Sequence, residues 1–154
     1  IEDYNTLGKV NPPLRSPDNI HCLKETLRER IIDIIVTDHA PHAQFEKQKP
    51  FSQAPPGISG LDTALSLTWS LTQKNVFSFA DFLRFWTYSP GNIFGLEYNA
   101  FQPGDPADFL LFDSTQEWEV TTESLYSKGK NTPWLGQSLK GVVSAHFLGG
   151  KRIY

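Results

Sequence analysis

The 154-residue chain contains no methionine and a single cysteine, Cys22. One thiol cannot build an internal disulfide framework, and a lone cysteine fits a reducing, cytoplasmic setting. The missing methionine extends to the first position, Ile1, which mature processing or a longer parent chain would each explain. No apolar run is long enough to cross a bilayer, and the opening residues carry no charged-then-apolar leader. A basic run is also missing. The 14 Lys and Arg are interspersed among 17 Asp and Glu, for a formal charge of −3, which argues against capture of nucleic acid or an anionic membrane. A small molecule or a protein is the expected partner.

What is present is an ordinary apolar fraction, 39%, enough for one domain with its own core. The most informative stretch is Ile31-Ile32-Asp33-Ile34-Ile35-Val36 running into Thr37-Asp38-His39-Ala40-Pro41-His42. The apolar run predicts a buried strand, and the carboxylate and imidazoles that follow fall at its carboxyl end. In barrel and open α/β enzymes that end carries catalytic side chains, because the strand fixes the backbone while the next loop stays open to substrate.

Around this stretch the elements alternate. Lys9-Val10-Asn11-Pro12-Pro13-Leu14-Arg15 must be a loop, since consecutive prolines remove backbone donors and disfavour helix at Asn11. Ser16-Pro17 reads as a cap and first-turn proline, with Ile20, Leu23, Leu27 and Ile31 at helical spacing to about Arg30. Residues 43–60 have no sustained period and are rich in proline and glycine, which predicts a long loop covering substrate. Leu61 to Lys74 predicts a helix with Asp62 near its positive end, and Ser78 caps a second helix that ends before Ser89-Pro90-Gly91. Asn92 to Leu96 reads as a short helical turn closed near Gly95. Beyond Asn99 the pattern turns to strands, at 107–113, 117–121, 141–148 and 151–154, with turns at Pro103-Gly104-Asp105-Pro106 and Gly149-Gly150.

Asp38 is either a turn carboxylate or a metal ligand and general base. Cleaving or forming an amide C–N bond needs an activated water, which bound zinc provides, and a carboxylate to move a proton to or from nitrogen. His39 and His42 flank Pro41 and cannot form a one-face helical metal pair. His39 is either a hydrogen-bonded structural group or a ligand, while His42 is better placed to meet an anion. His21 and His146 lie elsewhere, so the chain does not supply the three or four ligands of a zinc site.

Lys9 to Arg15, Thr37 to His42 and Ala54-Pro55-Pro56-Gly57-Ile58-Ser59-Gly60-Leu61-Asp62-Thr63 together resemble, in order and spacing, the dihydroorotase family of the amidohydrolase superfamily. Gly104-Asp105-Pro106-Ala107-Asp108 and the closing segment Ser127-Lys128, Asn131-Thr132-Pro133-Trp134-Leu135-Gly136 and Leu139-Lys140-Gly141 agree with it. The resemblance implies an α/β fold: the carboxyl-terminal part of a (β/α)8 metal-dependent hydrolase barrel over residues 1–98, then a small β-sandwich domain segment over 99–154. It implies zinc-dependent interconversion of N-carbamoyl-L-aspartate and dihydroorotate in pyrimidine synthesis. Asp38 would be the metal-bound aspartate that shuttles the proton, Asn11 and His42 substrate contacts, and Pro56 and Gly57 the backbone touching the pyrimidine ring. The other zinc ligands and a substrate-binding arginine would precede Ile1. The chain alone is then expected to be inactive, and to fold with a missing amino-terminal part or a second copy of itself.

Two other readings stay open. An allantoinase or hydantoinase-type cyclic amidase would carry a similar Asp-His at the strand end, although Asn11 and His42 suit a dicarboxylate better than an uncharged ring. A non-catalytic dihydroorotase-like subunit could instead scaffold aspartate transcarbamoylase.

Overall fold

In the computed structural model, residues 2–96 and 101–154 are described. They group into two compact units, one of Ile1–Glu25, Val36–Ala64 and Glu119–Leu139, the other of Thr26–Ile35, Leu65–Trp118 and Lys140–Tyr154. The expected domain boundary at residues 98 and 99 lies outside the described residues.

The first unit is held largely by loops. Two 3-10 turns, Glu2–Tyr4 and Thr6–Gly8, lead into the expected loop at Lys9. Helix α1 (Pro17–Arg28) starts at the Ser16-Pro17 signal, with Asn19 N donating to Ser16 Oγ at 3.4 Å. None of its residues is buried, and Ile20 and Leu23 are exposed. The loop expected over 43–60 contains a short helix, α2 (Gln44–Lys47), whose start is closed by Ala43 N donating to Glu46 Oε2 at 3.0 Å.

In the second unit, residues 31–35 belong to no strand, correcting the expectation of one over 31–36. A strand is held by its ladder, and among the described residues no neighbour pairs with this segment. Its Ile35 nevertheless packs, with Leu27, Leu65, Trp69 and Phe112, on a core of Val76, Phe77, Phe82 and Phe85. Trp69 meets Phe82 edge-on at 5.6 Å and Phe77 meets Phe85 at 5.2 Å, geometries that favour aromatic pairs.

Helix α3 (Ala64–Gln73) begins later than expected, leaving Asp62 in the turn before it. Helix α4 (Phe79–Leu83) is capped by Ser78 as expected. The break expected before Ser89 is not there: a π-helical turn, Arg84–Tyr88, passes into α5 (Ser89–Phe94), which Gly95 closes at φ 64°. In a regular helix the ring of Pro90 would strike the carbonyl four residues earlier, at Trp86; the wide turn lies there and relieves it.

The β segment forms one three-stranded sheet, β1 (Phe109–Glu119), β2 (Ser138–Leu148) and β3 (Lys151–Arg152), in that order, with β2 and β3 antiparallel. The strands expected at 107–113 and 117–121 are one strand, and β3 is shorter than expected. The turn at Gly149 and Gly150 is as expected, at φ 58° and 76°. Among the described residues no helix is long and apolar enough to cross a membrane.

Candidate active site

All five candidate residues lie in the first unit, where four segments are knitted together by backbone hydrogen bonds. Ala40 N donates to Ile58 O at 2.9 Å, Gly57 N to Lys9 O at 2.9 Å, and Ser59 N to Asn131 O at 3.0 Å. These bonds tie the loop after Val36 and the loop carrying Asn11 to residues 57–59.

Asp38 sits at φ 42°, in the left-handed region that aspartate tolerates better than most residues. Its side chain is exposed, and among the described residues its carboxylate makes no hydrogen bond or ion pair. The residues beside it are anchored. Gly60 N and Leu61 N both donate to His39 Nδ1, at 3.2 and 3.1 Å. With Nδ1 accepting, the proton of the neutral ring belongs on Nε2. His39 is therefore hydrogen-bonded through Nδ1, the feature on which one of its two readings rests.

His42 and the 55–57 loop are in direct contact. The His42 Nε2 lies 3.0 Å from Pro56 O, which accepts its proton, and His42 N donates to Asn131 Oδ1 at 2.8 Å. Its Nδ1 is 3.8 Å from Glu46 Oε2. Gly57, at φ 131°, is a glycine for a local reason: a Cβ there would lie 2.8 Å from Ala40 Cβ and 3.0 Å from His42 Nε2. The close approach its lack of a side chain permits is to its own protein. Both of its backbone polar groups are engaged, N by Lys9 O and O by Lys47 Nζ and Asn131 Nδ2. Asn11 is exposed, two residues along from Lys9.

Sequence reasoning missed Lys47 and Asn131. Lys47 is 4% exposed, and its Nζ donates to Pro55 O at 3.0 Å and Gly57 O at 3.1 Å. Burial, and then the nearby Lys9 ammonium, hold its pKa below the ordinary lysine value. Nothing in the sequence separates Lys47 from the exposed Lys49, and Asn131 stood out only as part of the closing segment. Asp62 also acts differently than expected: its carboxylate accepts from Tyr126 N at 3.0 Å and Ser127 N at 3.3 Å.

A cavity of about 660 Å³ in the same unit is lined by residues including Asn5, His42, Lys47, Lys128 and Asn131; Asp38, Asn11, Pro56 and Gly57 do not line it. Among the described residues no three His, Cys, Asp or Glu gather as a metal-holding group. A free carboxylate at Asp38 suits one ligand of a metal centre, not a complete set.

The profile of the amidohydrolase family matches residues 10–153, almost the whole chain. The chain belongs to the amidohydrolase family. Family members are as a rule metal-dependent hydrolases. This amidohydrolase chain is 37% identical to a dihydroorotase of Trichlorobacter lovleyi and 39% identical to one of Pelobacter propionicus, in each case over 100% of this chain and 36% of the relative. It thus spans about a third of the length of the curated relatives it matches. Among solved structures it is similar to an L-hydantoinase (dihydropyrimidinase) from Arthrobacter aurescens, with a TM-score of 0.87 and 26% identity over 99% of this chain and 36% of that one. A dihydropyrimidinase from Brevibacillus agri gives a TM-score of 0.82 at 21% identity, covering 96% of this chain and 34% of its own. The fold is accordingly that of part of an amidohydrolase α/β barrel protein.

Proposed function

We propose that the chain is the carboxyl-terminal part of a dihydroorotase, a zinc-dependent cyclic amidohydrolase that interconverts N-carbamoyl-L-aspartate and (S)-dihydroorotate in pyrimidine synthesis. The observation that carries this reading is identity of 37–39% with curated dihydroorotases across the full chain. In it, residues 1–98 contribute the last units of a (β/α)8 barrel and 99–154 a sheet of a small β-sandwich domain, in a cytoplasmic enzyme.

The chemistry follows from the groups present. Zinc, when bound by Asp38 and ligands from elsewhere in the longer protein, supplies an activated water. The Asp38 carboxylate, unpaired and exposed, takes a proton as the water attacks and gives it to the departing amide nitrogen. Asn11 offers an amide donor and acceptor from an exposed loop. His42 meets the substrate carboxylate, for which its Nε2 must exchange Pro56 O for the ligand. Pro56 O has one partner and keeps a lone pair for a ring N–H. Gly57, with both polar groups used, contributes shape only.

The structural likeness to hydantoinases favours a second reading, a hydantoinase- or allantoinase-type amidase. A scaffold subunit paired with aspartate transcarbamoylase is the third. Turnover of dihydroorotate, hydantoin and allantoin by the longer protein, with zinc analysis, separates the three. Dihydroorotate should be turned over, and Asp38→Asn should cost about 10²–10⁴-fold in kcat. Preference for hydantoin or allantoin would support the second reading, and a zinc-free, inert protein the third.

A further inference from the structure

Three successive carbonyls, Pro55 O, Pro56 O and Gly57 O, are each taken by a side chain from another segment. Lys47 Nζ bridges the outer two at 3.0 and 3.1 Å, His42 Nε2 holds the middle one at 3.0 Å, and Asn131 Nδ2 adds a second donor to Gly57 O at 3.1 Å. The Asn131 side chain also faces the other way, accepting from His42 N at 2.8 Å. One amide therefore joins the backbone of His42 to the backbone of Gly57.

Lysine is an unusual choice for this place. Burying an ammonium is costly unless it is hydrogen-bonded, and among the described residues Lys47 faces no carboxylate. Its donors go to backbone carbonyls instead. Lysine has donors only, so it can hold two carbonyls where an acid or an apolar side chain could hold neither. Its own backbone is fixed as well, with Thr6 Oγ1 donating to Lys47 O at 2.5 Å. Asn131, 5% exposed, is similarly enclosed.

We infer that Lys47 and Asn131 are positioning residues which clamp the Pro55–Gly57 backbone against His42 and so set the wall that meets substrate. The catalytic consequence rests on the dihydroorotase reading; the clamp itself does not. With the clamp intact, the Pro55–Gly57 carbonyls keep their places while His42 Nε2 exchanges Pro56 O for the ligand. Without it, the loop keeps the Gly57 N to Lys9 O bond but loses the donors that orient its carbonyls.

The test uses the longer protein carrying Lys47→Met, of similar length but without donors, and Asn131→Asp, which keeps the acceptor for His42 N and loses the donor to Gly57 O. Backbone hydrogen exchange at the amides of 57–60 should quicken at least about tenfold in both while the amides of α4 are unchanged, since local opening is reported segment by segment. For dihydroorotate, kcat/KM should fall about 10–100-fold, mainly through KM, because the wall touches substrate and not the reacting bond. Exchange that is unchanged at the amides of 57–60, or raised equally along the chain, overturns the clamp. Faster local exchange with unaltered kinetics overturns its catalytic consequence. If the unsubstituted protein does not turn over dihydroorotate, the proposed function fails while the exchange result still decides the clamp.

Discussion

Gly57 shows how much of the candidate site is decided by single atoms. Its φ of 131° and the 2.8 Å approach an added Cβ would make to Ala40 are separate obstacles. Gly95, at φ 64° with nothing within 4 Å, presents only the first kind. Gly57→Ala should therefore cost about 2–4 kcal/mol, and Gly95→Ala about 1–2 kcal/mol, by urea midpoints. Equal losses would mean that the wall yields to the methyl group. Lys47 carries a pH signature of its own. Burial and then Lys9 lower its folded pKa, so the unfolded chain binds more protons in the window between that value and the ordinary one. Its contribution to stability should rise with pH through that alkaline window, and the rise should vanish in Lys47→Met. A midpoint–pH profile from neutrality to about pH 10.5 measures it. Asp38 could be singled out in the sequence because its apolar approach and neighbouring imidazoles are local. Lys47 and Asn131 could not, because their partners are 8 to 89 residues away.

At the scale of elements, the start of α4 is the best-defined local device. Asp81 N donates to Ser78 Oγ at 3.1 Å, Ser78 Oγ donates to Asp81 Oδ2 at 2.6 Å, and Arg30 Nε reaches Asp81 Oδ1 at 2.9 Å. The Ser78 hydroxyl, opposed by burial and helped by Ser78 N–H and Arg30, holds the Asp81 carboxyl below its usual range. A depressed folded pKa gives stability that is present above the unfolded pKa and lost as pH falls through the folded one. Asp81→Asn should cost about 1–2 kcal/mol at neutral pH and flatten part of the fall below about pH 4, read from urea midpoints between pH 3 and 7. A variant that keeps the full acid-side slope would assign that slope to other carboxylates. Caps and tight turns such as Ser78, Ser16-Pro17 and Gly149-Gly150 were legible because their chemistry lies within a few residues. The passage through Ser89-Pro90 was not, because a π turn has no composition signal and Pro90 reads as a stop. Residues 31–36 misled in the opposite direction: their β-branched run is strand-like, but a strand is completed by neighbours that no local pattern contains.

For the whole molecule, the exposed apolar side chains bear on behaviour in solution. Ile31, Val36 and Phe45 are 63%, 71% and 68% exposed, and Tyr4 77%, a large apolar display for a folded chain of this size. In the dihydroorotase reading, that surface meets the remainder of the barrel or a second copy of the chain. The metal argument runs in parallel, since Asp38 offers a carboxylate while the described residues gather no group of three ligands. The isolated 154-residue chain should then associate as its concentration rises, bind no stoichiometric zinc and turn over no dihydroorotate. Sedimentation velocity over a hundredfold range of concentration, with metal analysis of the same samples, measures the first two directly. Association should diminish when the polypeptide that precedes this segment in a full-length relative is added, because burial of these side chains within the barrel removes the surface that drives it. A compact monomer at every concentration would show that the exposed residues need no cover. Stoichiometric zinc on that monomer would show that Asp38 finds its other ligands within this chain, and the dependence of the site on a longer protein would fall with it.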